Sequence, residues 1–155
     1  MGRKRRFRRA AAYLARVRTA DENAERLRKR AENLRLLLTD KSAPWPDQPA
    51  GGGTDPRRDE RLHAEIDGME REIKRAEEAA RGIRLEAGMK ICRIPEPTAQ
   101  KILILRYLDG KSMKEAAEEA GYGITQGYKF HDMGMKALER TLGKEDSRDG
   151  ERCSS

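Results

Sequence analysis

Over residues 10–38 the apolar positions fall on two interleaved heptad sets, Ala10, Val17, Ala24, Ala31 and Leu38 on one, Tyr13, Ala20, Leu27 and Leu34 on the other. A seven-residue repeat set among charged residues predicts a helix that offers one stripe to a partner. At 1.5 Å per residue this helix is about 43 Å long, and its alanine-rich stripe is weak without a partner. Residues 39–56, TDKSAPWPDQPAGGGTDP, break the pattern: four prolines and a Gly-Gly-Gly run predict a connector or loop, with Trp45, the chain's one tryptophan, held between two prolines. A more regular stripe follows over residues 57–90, with Leu62, Met69, Ala76 and Ile83 on one set and Ile66, Ile73, Ala80 and Ala87 on the other. On the exposed sides, Glu22 with Arg26, Glu25 with Lys29, Asp67 with Arg71, Glu70 with Lys74 and Glu77 with Arg81 stand at the i,i+4 spacing of helical ion pairs. Two striped helices joined by a breaker fold most simply into a long antiparallel helical hairpin, coiled-coil-like, over residues 10–94. Pairing of the second helix with its copy in a homodimer would use the same stripe, and the pattern leaves both arrangements open.

The hydrophobic pattern then changes from long stripes to short, punctuated segments. Pro95 and Pro97 turn the preceding residues away from helix, which predicts a hinge after residues 91–95 and a separate body beyond it. Pro97 suits a first helical turn, and Ile102, Leu103, Leu105 and Leu108 form an apolar face that ends at Asp109 and Gly110. Ser112, followed three residues later by Glu115, fits a capping box and starts a second helix through Met113, Ala116, Ala117 and Ala120. Gly121 ends it where a left-handed residue is commonly required. A third helix runs from about Ile124 to Leu142 with Phe130, Met135, Leu138 and Leu142 at helical spacing. A short helix, a glycine turn and a longer helix predict a helix-turn-helix over residues 95–142. The segment 143–155, KEDSRDGERCSS after Gly143, is polar and is expected to be disordered. The fold class is therefore all-α.

Charge changes this picture more than composition does. The 155 residues carry a formal charge of +7, and 39% of them are charged against 5% aromatic, which suits thin helical layers. The charge is concentrated at the N-terminus: residues 1–38 hold 13 Lys and Arg against 4 Asp and Glu, whereas residues 96–142 hold seven of each. Arg3, Lys4, Arg5, Arg6, Arg8 and Arg9, with Phe7, make residues 1–9 a basic arm suited to phosphates or a minor groove, and equally to a solvated terminus with general polyanion affinity. The neutral C-terminal segment would lack the phosphate contacts that normally supply affinity, and the arm could provide them. With no run of eighteen apolar residues and no apolar segment after the basic start, the reading is a cytoplasmic protein without a membrane span. Cys92 and Cys153 lie far apart and are read as free thiols. His131 is read as a packing residue beside Phe130, and His63 lies on the second long helix. No nucleophile, metal-ligand or P-loop spacing is present, so neither an enzyme nor a cofactor or metal site is expected.

The segments ILRYLDGKSMKEAAEEAGY, YKFH and MKALERTL resemble region 4 of bacterial sigma factors, and more closely the small phage-encoded transcription regulators of the ArpU and RinA type. The resemblance covers residues 96–142, about a third of the chain. It implies sequence-specific binding of double-stranded DNA near a promoter, with RNA polymerase as a further partner, by a regulator acting in a bacterial host cell. It also implies base contacts from the first two turns of the third helix, here Ile124, Thr125, Gln126, Tyr128 and Lys129. Gln126 has the amide for adenine, Lys129 the ammonium for guanine or phosphate, and Thr125 the hydroxyl and methyl for a thymine. Lys111, Ser112 and Lys114 at the second helix's start, with Lys136 and Arg140 further along and Arg3, Lys4, Arg5 and Arg6 in the arm, are the candidate phosphate contacts. Two positions depart from the family pattern. Gly123 stands where a Ser or Thr cap is usual and Gly127 where a buried Val or Ile is usual, and each is expected to weaken the third helix by roughly 1 kcal/mol. Two other readings compete: an adaptor that binds polymerase or another protein without touching DNA, favoured by the neutral charge, and a recognition factor for DNA packaging.

Overall fold

The computed structural model describes residues 6–39 and 57–153, with side chains through residue 150. Trp45, nearly all of the Pro/Gly-rich stretch, and Arg3, Lys4 and Arg5 lie outside the described residues. All regular structure among the described residues is helical: α1 (Arg8–Thr39), α2 (Arg58–Ile91), α3 (Pro97–Leu103), a π-helical turn (Ile104–Leu108), α4 (Met113–Glu119) and α5 (Ile124–Cys153). No helix among them is long and apolar enough to cross a membrane. The chain forms two compact units, Ala20–Ala80 and Met1–Thr19 with Arg81–Ser155. The division therefore falls inside α1 and α2 and not at the proline pair near residue 95. The prolines turn the chain without separating its cores.

In the unit Ala20–Ala80, the predicted stripes supply the contacts. Ala24, Ala31, Leu62, Ile66 and Ala80 are buried. Arg28 bonds Glu77 and Arg35 bonds Glu70, both at 2.6 Å. Each step of seven along α1 matches a step of seven back along α2, so the two helices run in opposite directions here. The carboxylates of Glu70 and Glu77, expected to pair along their own helix, reach across to α1. Exposed pairs of this kind contribute little to stability, and they set register more.

The second unit has a thicker core. Ala10, Leu14 and Val17 of α1 and Ala87 and Ile91 of α2 are buried together with Ile94, Ala99, Leu103, Met135, Leu138 and Leu142. Phe7 packs partly against the same cluster, so the end of the basic arm is part of this body. Glu96 caps α3 by accepting the Thr98 N–H at 3.2 Å, with Pro97 in the first turn. The predicted single helix up to Asp109 is corrected in its second half, where Ile104–Leu108 widens into a π turn. The Asp109 N–H reaches Ile104 O and the Lys111 N–H reaches Leu105 O, both at 3.0 Å, while Gly110 takes φ +71°. Ser112 and Glu115 make both bonds of the predicted capping box. Gly121, at φ +87°, closes α4: Tyr122 N–H donates to Ala117 O at 2.8 Å and Gly121 N–H to Glu118 O at 3.0 Å. These two bonds are the Schellman pair that satisfies a helix's last carbonyls.

Gly127 and Gly134 decide how closely α5 approaches its neighbours. A Cβ built on Gly127 would lie 2.6 Å from the Ala117 Cβ, and one on Gly134 would lie 2.8 Å from Leu103 Cδ1 and 3.4 Å from the Ala99 Cβ. The weakness expected at Gly127 is corrected by this geometry, because a larger side chain has no room between α4 and α5. The disorder expected for residues 143–155 is likewise replaced by helix, since α5 continues to Cys153. Gly143 gives space to the Arg9 guanidinium, which would come within 3.0 Å of a Cβ there. Beyond it, Asp146 pairs with Arg9 at 3.3 Å and Glu145 with Lys90. These tethers offset the poor helix propensity of the segment.

Gly127→Ala should destabilise the fold by about 1–3 kcal/mol through overpacking, and Ala117→Gly in the same chain should recover part of that loss. Gly82→Ala, on α2 with nothing within 4 Å of its Cβ, should stabilise by roughly 0.5–1 kcal/mol. Urea unfolding followed by circular dichroism reads all three. Equal effects of the Gly127 and Gly82 substitutions would contradict the close-packing account.

Candidate nucleic-acid interface

α5 buries Gly127, Gly134, Met135, Leu138 and Leu142 and exposes the opposite side. Counted from Gln126 at 100° per residue, Lys129, Met133, Lys136, Arg140 and Lys144 fall with it in a sector of about 80°. Thr125 and Arg148 lie at its edges, and all eight residues are exposed. The acids of α5 take other directions. Glu139 accepts the Ala10 N–H at 2.7 Å and the Arg9 N–H at 3.3 Å, so it caps α1. Glu145 and Asp146 face Lys90 and Arg9. The seven-to-seven charge balance of residues 96–142 thus hides a cationic stripe whose helix continues beyond them.

The predicted base-contacting set divides on this helix. Thr125, Gln126 and Lys129 lie on or at the edge of the stripe. Ile124 and Tyr128 point roughly 160° from Gln126 in either direction; Ile124 is still 48% exposed because the first turn projects past the core, and Tyr128 is half-buried. Tyr122, at the turn, packs on Phe130 with ring centroids 4.9 Å apart and so ties the turn to the second turn of α5.

The predicted phosphate contacts divide too. Lys136 and Arg140 belong to the stripe, and Lys114 is exposed on α4. Lys111 bonds the Glu119 carboxylate, which holds its ammonium above the ordinary lysine value and uses its charge within the unit. The Ser112 hydroxyl accepts the Glu115 N–H at 3.2 Å, and the Glu115 carboxylate accepts the Ser112 N–H at 3.0 Å. A carboxylate therefore already occupies the start of α4, and the anion-binding role expected of Ser112 and Lys111 is not supported by this geometry. Arg6 is exposed.

Two further cations, Lys144 and Arg148, were not among the predicted phosphate contacts. Arg9, Lys144 and Arg148 line one shallow concavity with Arg140, Gly143 and Ser147. The signal was present, since Lys136, Arg140, Lys144 and Arg148 recur every four residues; reading Gly143 as a helix end concealed it.

His131 is half-buried, as a packing residue would be, but it also links two polar groups. Its Nε2 lies 2.8 Å from the Tyr107 hydroxyl and its Nδ1 3.1 Å from Asp132 Oδ1. Burial holds the Tyr107 phenol above its ordinary pKa, and the imidazole shares one hydrogen bond with its hydroxyl and a second with the Asp132 carboxylate, the tautomer setting the donors. The π turn is thereby bonded to the middle of α5. No group of His, Cys, Asp and Glu suited to a metal ion occurs among the described residues.

Replacing Glu139 with Ala should cost about 1 kcal/mol, the usual range for losing a helix cap, and should speed amide exchange of Ala10 and its neighbours. Exchange measured by NMR is the check, and unchanged protection at Ala10 would refute the cap.

No family model, no characterised protein and no solved structure matches this chain.

Proposed function

We propose that the chain is a DNA-binding regulator of transcription, of the kind represented by small phage-encoded regulators, with α4, the Gly121 turn and α5 acting as a region-4-like helix-turn-helix. The observation that carries this reading is the segregation of charge on α5: Lys129, Lys136, Arg140, Lys144 and Arg148 on the outer side, with Glu139, Glu145 and Asp146 turned to partners inside the unit. A polyanion lying along the stripe meets cations over roughly 30 Å, so the neutral total is no obstacle to binding. Gln126 and Thr125 at the stripe's N-terminal end have hydrogen-bonding groups for base edges, and Met133 has an apolar surface for a thymine methyl. Lys136, Arg140, Lys144 and Arg148 are the proposed contacts to backbone phosphates, and Arg9 of α1 lines one concavity with the last three.

The Ala20–Ala80 segment acts in this reading as a coiled-coil-like hairpin continuous in sequence with the reader. Its thin, alanine-rich stripe has the character of an arm and not of an independent core. RNA polymerase and a promoter-proximal DNA site are the partners this reading proposes, as the motif resemblance implies, and the helical hairpin is the proposed surface for a copy of the chain.

Selection from a random pool of duplex DNA, followed by titration of the selected duplex at several salt concentrations, tests the proposal. One enriched sequence is expected, with Gln126→Ala/Lys129→Ala losing about tenfold or more in affinity for it. The triple variant Lys136→Gln/Arg140→Gln/Lys144→Gln should lower the slope of log affinity against log salt by about two to three. Uniform weak binding that neither variant changes would overturn the reading in favour of the adaptor.

A further inference from the structure

The outer face of α2 carries an apolar strip that the DNA-binding reading does not use. Between Arg81 and Arg93, Leu85 is 66% exposed and Met89 56% exposed, and Cys92 is exposed one turn further on. With Gly88 they form the floor of an open groove almost entirely apolar in its exposed surface. Gly88 deepens it: a Cβ there would meet only Leu108 Cδ1, at 3.7 Å. Residues at i, i+4 and i+7 are the anchor spacing by which one helix face receives another. The rim carries three arginines, with the carboxylates of Glu145 and Asp149 beside its Arg93 end. Arg81 and Arg93 are exposed at its two ends, and Arg84, which donates to Leu108 O at 2.7 Å, is fixed along one side. Glu86, the carboxylate within this stretch, is turned toward Lys90 at 3.7 Å.

This charge pattern selects among occupants. A second copy meeting the strip about a two-fold axis in antiparallel fashion would set Arg81 against Arg93, and in parallel fashion would set each arginine against its own copy. Like charges at the rim oppose both arrangements. Duplex DNA would leave Leu85 and Met89 uncovered by anything apolar. We infer that the α2 strip from Arg81 to Arg93 docks an acidic amphipathic helix of another protein, with Leu85, Met89 and Cys92 receiving its apolar ridge and Arg81 and Arg93 pairing with its flanking carboxylates. The strip adjoins the α5 stripe at Arg148, which lines a concavity with Met89 and Arg93, and the stripe from Gln126 to Lys144 does not line it.

The probe is a synthetic eighteen-residue helical peptide with a leucine ridge flanked by glutamates, compared with the same ridge flanked by lysines, each followed by fluorescence anisotropy with the full chain. The acidic peptide should bind at least about tenfold more tightly than the basic one. Leu85→Glu/Met89→Glu should weaken the acidic peptide by about tenfold or more. Arg81→Glu/Arg93→Glu should invert the preference toward the lysine peptide. All four positions are exposed, so circular dichroism should be unchanged in both variants, and that measurement keeps a loss of binding separate from a loss of fold. Equal binding of the two peptides, or binding of neither, would overturn the inference. So would concentration-dependent dimerisation in sedimentation abolished by Leu85→Glu/Met89→Glu, which assigns the strip to a second copy, or loss of duplex binding confined to Arg81→Glu/Arg93→Glu, which assigns its rim to DNA.

Discussion

The close approach of α5 to α3 and α4 at Gly127 and Gly134 is the constraint from which the rest of the C-terminal unit follows. The two glycines are seven residues apart and face the same side, one against Ala117 and the other against Leu103 and Ala99. Each lowers the intrinsic helix preference of α5 by about 1 kcal/mol relative to alanine. In return the backbones meet without intervening side chains, and dispersion together with apolar burial stabilises so close an approach. With this face committed to the core, rotation of α5 about its axis is fixed. Gln126, Lys129, Lys136 and Arg140 face outward because Gly127, Gly134 and Leu138 face inward.

The same rotation sorts the charges. Glu139 lies on the flank between core and solvent, where it reaches the free N–H groups of Arg9 and Ala10 at the start of α1. A carboxylate at a helix N-terminus satisfies orphan donors and meets the positive end of the helix dipole. Glu145 and Asp146 continue the pattern by meeting Lys90 and Arg9. Glu139, Glu145 and Asp146 of α5 thus meet groups of α1 and α2 while its lysines and arginines stay in solvent. A total charge summed over a segment cannot express this separation, which depends on the direction of each side chain.

What could be read from the sequence were the features governed by a few adjacent residues. The Ser112 and Glu115 cap and the left-handed Gly110 and Gly121 depend on local backbone chemistry, and they occur where the residue types demand them. The heptad stripes of α1 and α2 were legible for the same reason: periodicity is a local property. The π turn at Ile104–Leu108 was not, because the bond between Tyr107 and His131 joins residues far apart in the chain. Gly127 looked like a defect and Gly143 like a helix end because their value lies in what approaches them, Ala117 in one case and Arg9 in the other. Of the candidate site, the sequence identified the outward Gln126, Lys129, Lys136 and Arg140, but it also named Lys111 and Ser112, whose partners Glu119 and Glu115 belong to the fold.

The arrangement of the chain makes the C-terminal unit depend on its N-terminal end. Residues of α1 before Ala20 complete a core otherwise built from residues after Ala80. Bringing these segments together closes a long loop, and for a flexible chain that entropy cost rises with the logarithm of loop length. Pairing of α1 with α2 reduces it, because each contact between them, such as Arg35 with Glu70 and then Arg28 with Glu77, shortens the loop that remains to be closed. Pairing can therefore proceed from the connector toward the ends, delivering Ala10, Leu14 and Val17 beside Ala87 and Ile91. The cap from Glu139 holds the first turn of α1 in this assembly.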